Sequence, residues 1–246
     1  MECQNLKNIL QKFCQCFGQI ISAQKSRLWF SPNTFRRTKE LIAGIFDIPT
    51  TTQLRTYLGT PIFTTRQKAS TYQYIMDNIH KKIKGWQAKY LSVASRVTLI
   101  NSTSTLIPIH AMQTTLLPQK ISQQLDKLNC KFLWGDIANH RHCHTVSWET
   151  ITSPKDVGRL GLKTARHMNV ALLMNQAWRL QQKSSMLWAQ VLKAKYFPRT
   201  NLYDSGINLR VSHVWKALLV GIRWSQRGMK WVLGDRQNIR AGRITG

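Results

Sequence analysis

Apolar residues recur at helical spacing along most of this chain, and that periodicity limits the fold more than any other feature. Between positions 72 and 90, Tyr72, Ile75, Met76, Ile79, Ile83 and Trp86 share one helical face. Lys81, Lys82, Lys84 and Lys89 fall mostly on the other face. The same spacing predicts helices over 4–17 (Leu6, Ile9, Leu10, Phe13, Phe17), 38–46 and 92–105. A further helix carries Ile121, Leu125, Leu128, Phe132 and Leu133, starts near Pro118 and stops at Gly135. Later helices are predicted over 164–182, 186–196 and 211–224.

Strand signals are few. Ser26 to Phe30 is short, aromatic and followed by Ser31-Pro32-Asn33, which predicts a strand ending in a turn. Tyr57-Leu58-Gly59-Thr60-Pro61-Ile62-Phe63 predicts a hairpin-like strand pair, and the 230–240 tail a strand, turn and strand start. The expected fold is mainly α, with a small α+β N-terminal piece followed by a helical body. Its expected regions are 1–65, 66–135 and 136–246.

Charge narrows the partner. Lys and Arg number 36 against 10 Asp plus Glu, for a net charge of +26 in 246 residues. Self-repulsion at that charge destabilises a compact chain unless a polyanion relieves it, and nucleic-acid phosphate is the commonest such polyanion. The bases run from Lys7 to Arg243 with no block of five like charges, so a folded body with a positive face is expected rather than a basic tail. The best basic surface beside an aromatic is Lys81, Lys82, Lys84, Trp86, Lys89 and Arg96. The plainer reading of these lysines is a solvated helix face. Core packing is the first reading of Trp86, Trp178, Trp188, Trp215 and Trp224, and base stacking the sharper one for one or two of them.

Other chemistries lack their residues. Two-metal polymerases and nucleases need convergent carboxylates. Here the acidic residues stand singly, and Asp47, Asp77, Asp126, Asp136, Asp156 and Asp204 read as helix starts or loop residues explained by capping. His140, His142, Cys143 and His144 crowd five positions without a second ligand pair, so a basic loop is favoured over zinc. No phosphate-binding glycine loop is present, and no cofactor is expected. Cys3, Cys14, Cys16, Cys130 and Cys143 are odd in number and irregularly spaced, which argues against a disulfide framework. The start, MECQNLKNIL, has no apolar core and no run approaches the roughly 20 residues of a membrane helix, so no membrane partner is expected. Nucleus and mitochondrion both suit a basic chain.

Several strings add up to a resemblance. LQKFCQCFGQIISAQKSRLWFS, from Leu10 to Ser31, resembles the segment after the catalytic Asp-Asp strand of plant-type LINE (non-LTR retrotransposon) reverse transcriptases. Gly18, Gln19, Ile21, Lys25, Ser26, Phe30 and Ser31 match its pattern, whereas Phe17 and Ser22 depart from it. Tyr57-Leu58-Gly59-Thr60-Pro61 is similar to the family's turn near the primer grip. IKGWQAKYLSVAS, from Ile83 to Ser95, resembles its thumb helix pair, with Ser95 where glycine is usual. Phe132-Leu133-Trp134-Gly135, Val146-Ser147-Trp148, Pro154-Lys155, the 192–197 string and Trp215 match later elements, with Arg159 replacing a glycine. The likeness stops near Arg240.

The resemblance implies the end of a polymerase palm, a helical thumb and a connecting region. It places the catalytic box before Met1, and the zinc-binding-like and ribonuclease H-like regions beyond the last residue. It implies backbone-directed binding of an RNA/DNA hybrid or duplex, with a separately encoded palm as a further partner and no nucleotidyl transfer by this chain. A remnant without activity and an enzyme with an unrecognised site are the other two expectations.

Overall fold

A computed structural model describes residues 2–52, 54, 56–57, 60–62, 69–85, 90–136, 143–154, 156, 160–182, 185–204 and 211–229. The chain is mainly helical with very little strand, as the periodicity predicts. It divides into two units, Met1–Gln67 and Lys68–Gly246.

In the first unit, α1 (Glu2–Phe17) ends where Gly18 takes a positive φ of 62°, the left-handed geometry its sequence predicts. Helix α2 (Arg36–Phe46) packs on α1, and Lys7 Nζ donates to the Ile45 carbonyl at 2.6 Å. Neither helix buries a residue, and the apolar stripe Leu6, Ile9, Phe13 and Phe17 is exposed. Strand β1 (Leu28–Trp29) pairs in parallel with β2 (Thr50–Thr51). Strand β3 (Thr56–Tyr57) pairs antiparallel with β4 (Thr60–Pro61), so the predicted hairpin forms.

The second unit is helical among the described residues. Helix α3 (Gln73–Gly85) follows a single 3-10 turn at Ala69–Tyr72. The helix predicted over 92–105 is instead α4 (Val93–Leu99) continued by a π-helical stretch, Ile100–Ser104. That stretch is polar, and the Thr105 hydroxyl donates to the Ile100 carbonyl at 3.0 Å, which favours the wider turn. After it come α5 (Ile109–Thr114), α6 (Gln119–Trp134) and the short α7 (Trp148–Ile151). The unit closes with α8 (Ala165–Gln182), α9 (Leu187–Tyr196) and α10 (His213–Gly228). Helix α10 runs one turn past the predicted end at 224, because Ser225 is still buried and bonds back to the Gly221 carbonyl. The tail predicted as strand lies outside the described residues.

Three apolar clusters hold the second unit. Tyr72, Ile75, Met76 and Ile79 meet Met112, Ile121 and Leu125 in the first. Ile100, Phe132, Leu133, Ile151 and Leu162 form another. Ala177, Leu180, Phe197 and Trp215 share the last with Leu218 and Ile222. Trp215 is fully buried and stacks on Tyr196 at 4.4 Å and Phe197 at 5.7 Å. Buried Asn169 joins α8 to the segment after α5: its amide donates to the carbonyls of Met112 and Thr115, and its oxygen accepts from Leu117 N–H.

Candidate nucleic-acid interface

Helix α3 presents the predicted basic face. Ile75, Met76 and Ile79 are buried, which turns Lys81, Lys82 and Lys84 outward, where all three are exposed. Lys82 and Lys84 also sit in the last turn, where cations complement the helix dipole. None of the three has an ion-pair partner among the described residues. Trp86 and Lys89 lie outside the described residues, as do Leu58 and Gly59 of the predicted grip turn. Tyr57 is the second residue of β3.

Arg96 is placed differently from the lysines. It is half-buried, and its Nη1 donates to the Leu133 carbonyl at 2.9 Å, at the C-terminus of α6. Gly135 caps that helix with a φ of 74°, and a Cβ built on it would meet Arg96 Nη1 at 2.7 Å. The glycine thus supplies both the left-handed turn and the room for the guanidinium. Arg96 holds α4 to the end of α6, a task its sequence neighbourhood did not signal. Ser95, where the resembling family has glycine, shares a 2.9 Å hydroxyl contact with Ser92, the residue that caps α4.

Asp47 is a cap, following α2 as its left-handed C-cap. The acidic residues correct the expectation at two other positions. Asp77 is inside α3, where its carboxylate accepts from Gln73. Asp126 is inside α6, and its Oδ1 accepts from the Ala165 backbone N–H at 2.9 Å. It caps the start of α8 from another helix. Burial raises its pKa above the ordinary carboxylate value, and the bond from Ala165 opposes that rise.

The polar segment after α6 holds one described histidine, His144. His144 Nε2 lies 3.0 Å from Asp136 Oδ2, and its Nδ1 lies 3.9 Å from Cys130 Sγ. The imidazole stacks on Trp134 at 5.6 Å. With its two ring nitrogens turned to different partners, His144 ties the segment to α6. Burial, with Asp136 nearby, pushes the Cys130 thiol pKa up, the wrong direction for a nucleophile. Cys143 is exposed, and His140 and His142 lie outside the described residues. Among the described residues no three His, Cys, Asp or Glu side chains could hold a metal ion, and no helix is long and apolar enough to cross a membrane.

Helices α8 and α10 also carry exposed aromatic side chains. Core packing accounts for Trp215 but not for Trp178 and Trp224, which are 45% and 48% exposed. The Arg227 guanidinium sits 5.0 Å from the Trp224 ring centre, a cation–π contact. Periodicity alone could not separate these tryptophans, because α8 carries apolar residues on more than one face.

No protein-family profile matches the chain. It is 36% identical over 184 residues to an Arabidopsis thaliana protein named "Putative ribonuclease H protein"; the match covers 73% of this chain and 30% of that relative. It is 27% identical over 130 residues to an Arabidopsis thaliana "Uncharacterized mitochondrial protein", covering 52% of this chain and 84% of that one. The chain therefore spans under a third of the first relative and most of the second, and it shares ancestry with both of these plant proteins.

Proposed function

We propose that this chain is a segment of a plant retrotransposon reverse transcriptase that holds a template–primer duplex by its phosphate backbone. The observation that carries the reading is the α3 face: three exposed lysines without acidic partners among the described residues, backed by a buried apolar face that fixes their direction. Such a face suits backbone contacts, which position a duplex without reading its sequence. The acid-poor composition supports it. So does alignment with part of a much longer relative named for ribonuclease H, an activity that belongs with RNA/DNA hybrids. The role proposed is binding. Lys81, Lys82 and Lys84 are its phosphate ligands, with Trp86 and Lys89 beside them. Arg96 serves by fixing α4 against α6. Tyr57, Leu58 and Gly59 are proposed as a turn near the primer strand.

Salt dependence tests this reading. Affinity for a short RNA/DNA hybrid is measured by fluorescence anisotropy between 50 and 200 mM salt. Each lysine that neutralises a phosphate contributes about 0.9 to the slope of log affinity against log salt. Replacing Lys81, Lys82 and Lys84 together with Gln is expected to lower the slope by about 2.7. A slope near zero in the unmodified chain, or no change in the triple variant, refutes the assignment. Metal-dependent primer extension by the purified chain would refute the restriction to binding.

A further inference from the structure

We infer that Trp178, Trp224 and Arg227 form a stacking platform for unpaired bases of a single nucleic-acid strand. This rests on the nucleic-acid reading above but concerns a different surface and a different strand state.

The geometry begins with the pairing of α8 and α10. A Cβ built on Gly221 would stand 2.4 Å from the Leu173 carbonyl oxygen, so these two turns face each other almost backbone to backbone. The same number of residues further along each chain, Gln181 and Met229 are held by one group: the Tyr203 hydroxyl lies 2.6 Å from Gln181 Oε1 and 3.0 Å from Met229 Sδ. The two helices therefore run in the same direction with Leu173 and Gly221 level.

That register brings the tryptophans to similar height. At 1.5 Å per residue, Trp178 lies about 7.5 Å beyond Leu173 and Trp224 about 4.5 Å beyond Gly221, an axial offset of roughly 3 Å. At about 100° per residue, Trp224 is turned roughly 60° back from the contact at Gly221. The α8 side that meets α10 runs through Met174 and Ala177, and Trp178 is turned roughly as far forward from it. Opposite rotations on two parallel helices that face one another reach the same side of the pair. The buried cluster around Trp215, Leu218 and Ile222 occupies the other side. Both indoles thus border one solvent-facing groove, which explains why each is half exposed.

The electrostatics favour a polyanion in that groove over an apolar protein segment. Neither α8 nor α10 contains an Asp or Glu, whereas they carry Arg166, Arg179, Lys216, Arg223 and Arg227. Arg227 already lies on the Trp224 ring, and guanidinium and indole together offer the flat cationic surface on which bases stack. Stacking needs exposed base faces, which a duplex keeps inside and a single strand offers. Positive charge nearby then neutralises the phosphates between stacked bases.

The experiment uses the full chain, fluorescein-labelled oligo(dT) and oligo(rA), and a blunt hybrid of the same length, at fixed salt. Trp178→Ala with Trp224→Ala is expected to weaken single-strand binding roughly five- to 150-fold per stacked base and to leave hybrid binding within twofold. Trp178→Phe with Trp224→Phe, which keeps a ring face at each position, is expected to retain most of the single-strand affinity. Single-strand binding unchanged in the alanine variant overturns the platform. So does an equal loss for single strand and hybrid with the circular dichroism intact. An unmodified chain that binds the hybrid but not the single strand overturns the platform alone. One that binds neither overturns the parent reading with it.

Discussion

Gly221→Ala asks how closely α8 and α10 must approach. A methyl group there would lie 2.4 Å from the Leu173 carbonyl oxygen, 2.5 Å from its carbonyl carbon and 2.9 Å from Met174 N. A relaxed carbon-to-oxygen contact needs about 3.3 Å, so α10 must withdraw by roughly 0.9 Å. These obstacles are backbone atoms, which cannot rotate aside as a side chain would. A gap of that size forfeits between about a quarter and a half of each dispersion contact across the interface. Overpacking of this kind costs about 3 kcal/mol, the upper part of its usual range. Alanine's better helix propensity returns about 1 kcal/mol. The net expectation is a loss of about 2 kcal/mol, or a melting temperature lower by about 4–8 °C for a unit of this size. Urea and thermal unfolding followed by circular dichroism measure it. Gly44→Ala in α2 is the matching control, since a Cβ there meets nothing within 4 Å. That change is expected to stabilise the first unit by about 0.5–1 kcal/mol. If Gly221→Ala is as stable as the unmodified chain, the backbone-to-backbone contact is wrong.

Asp126→Ala removes the acceptor for the Ala165 N–H and is expected to cost about 1–2 kcal/mol in urea unfolding, whereas Asp126→Asn keeps an acceptor and most of the stability. Burial raises the Asp126 pKa above 3.8, so the folded state holds this proton more tightly than the unfolded chain. The stability this group contributes is therefore fully present below pH 3.8 and is lost as pH rises through the raised folded value. Relative to Asp126→Asn, the unmodified chain should be most stable in acid, and a difference that grows in acid in favour of Asn refutes that sign. Cys130, partly buried and with its thiol pKa raised, should react with iodoacetamide at pH 8 more slowly than exposed Cys16 and Cys143, as peptide mapping reads. Equal labelling of all three would contradict the burial of Cys130 and the influence of the nearby Asp136 charge.

Much of the helical framework can be read from local pattern. The spacing of Ile121, Leu125, Leu128 and Phe132, followed by Gly135, predicts α6 and its end, and the structure agrees. Gly18 ends α1 for the same reason. The lysine face of α3 also follows from periodicity, because burying Ile75 and Ile79 leaves Lys81 and Lys82 outward. What escapes local reading depends on partners far along the chain. Asp126 looks like an ordinary helix residue until α8 arrives beside it. Arg96 gives no local sign that the end of α6 lies against it. Trp178 and Trp215 carry the same side chain on helices of similar length, yet Trp215 is buried against Tyr196 and Phe197 from a distant part of the chain while Trp178 stays exposed. The π-helical turn at Ile100–Ser104 has no periodic signature, since one inserted residue merely shifts the phase.

The level, same-direction pairing of α8 with α10 also sets an order of events during synthesis. Two helices that run the same way cannot be joined by a tight turn, and here α9 and its flanking segments intervene. Ala177 and Leu180 leave the ribosome long before the α10 residues of their cluster, so a nascent chain carries an incompletely covered apolar stripe until His213–Gly228 emerges. Closing a loop of this length adds little entropy cost beyond that of a shorter one, so the delay arises from translation rather than search. Chaperone capture of nascent chains should therefore peak between completion of α8 and emergence of α10.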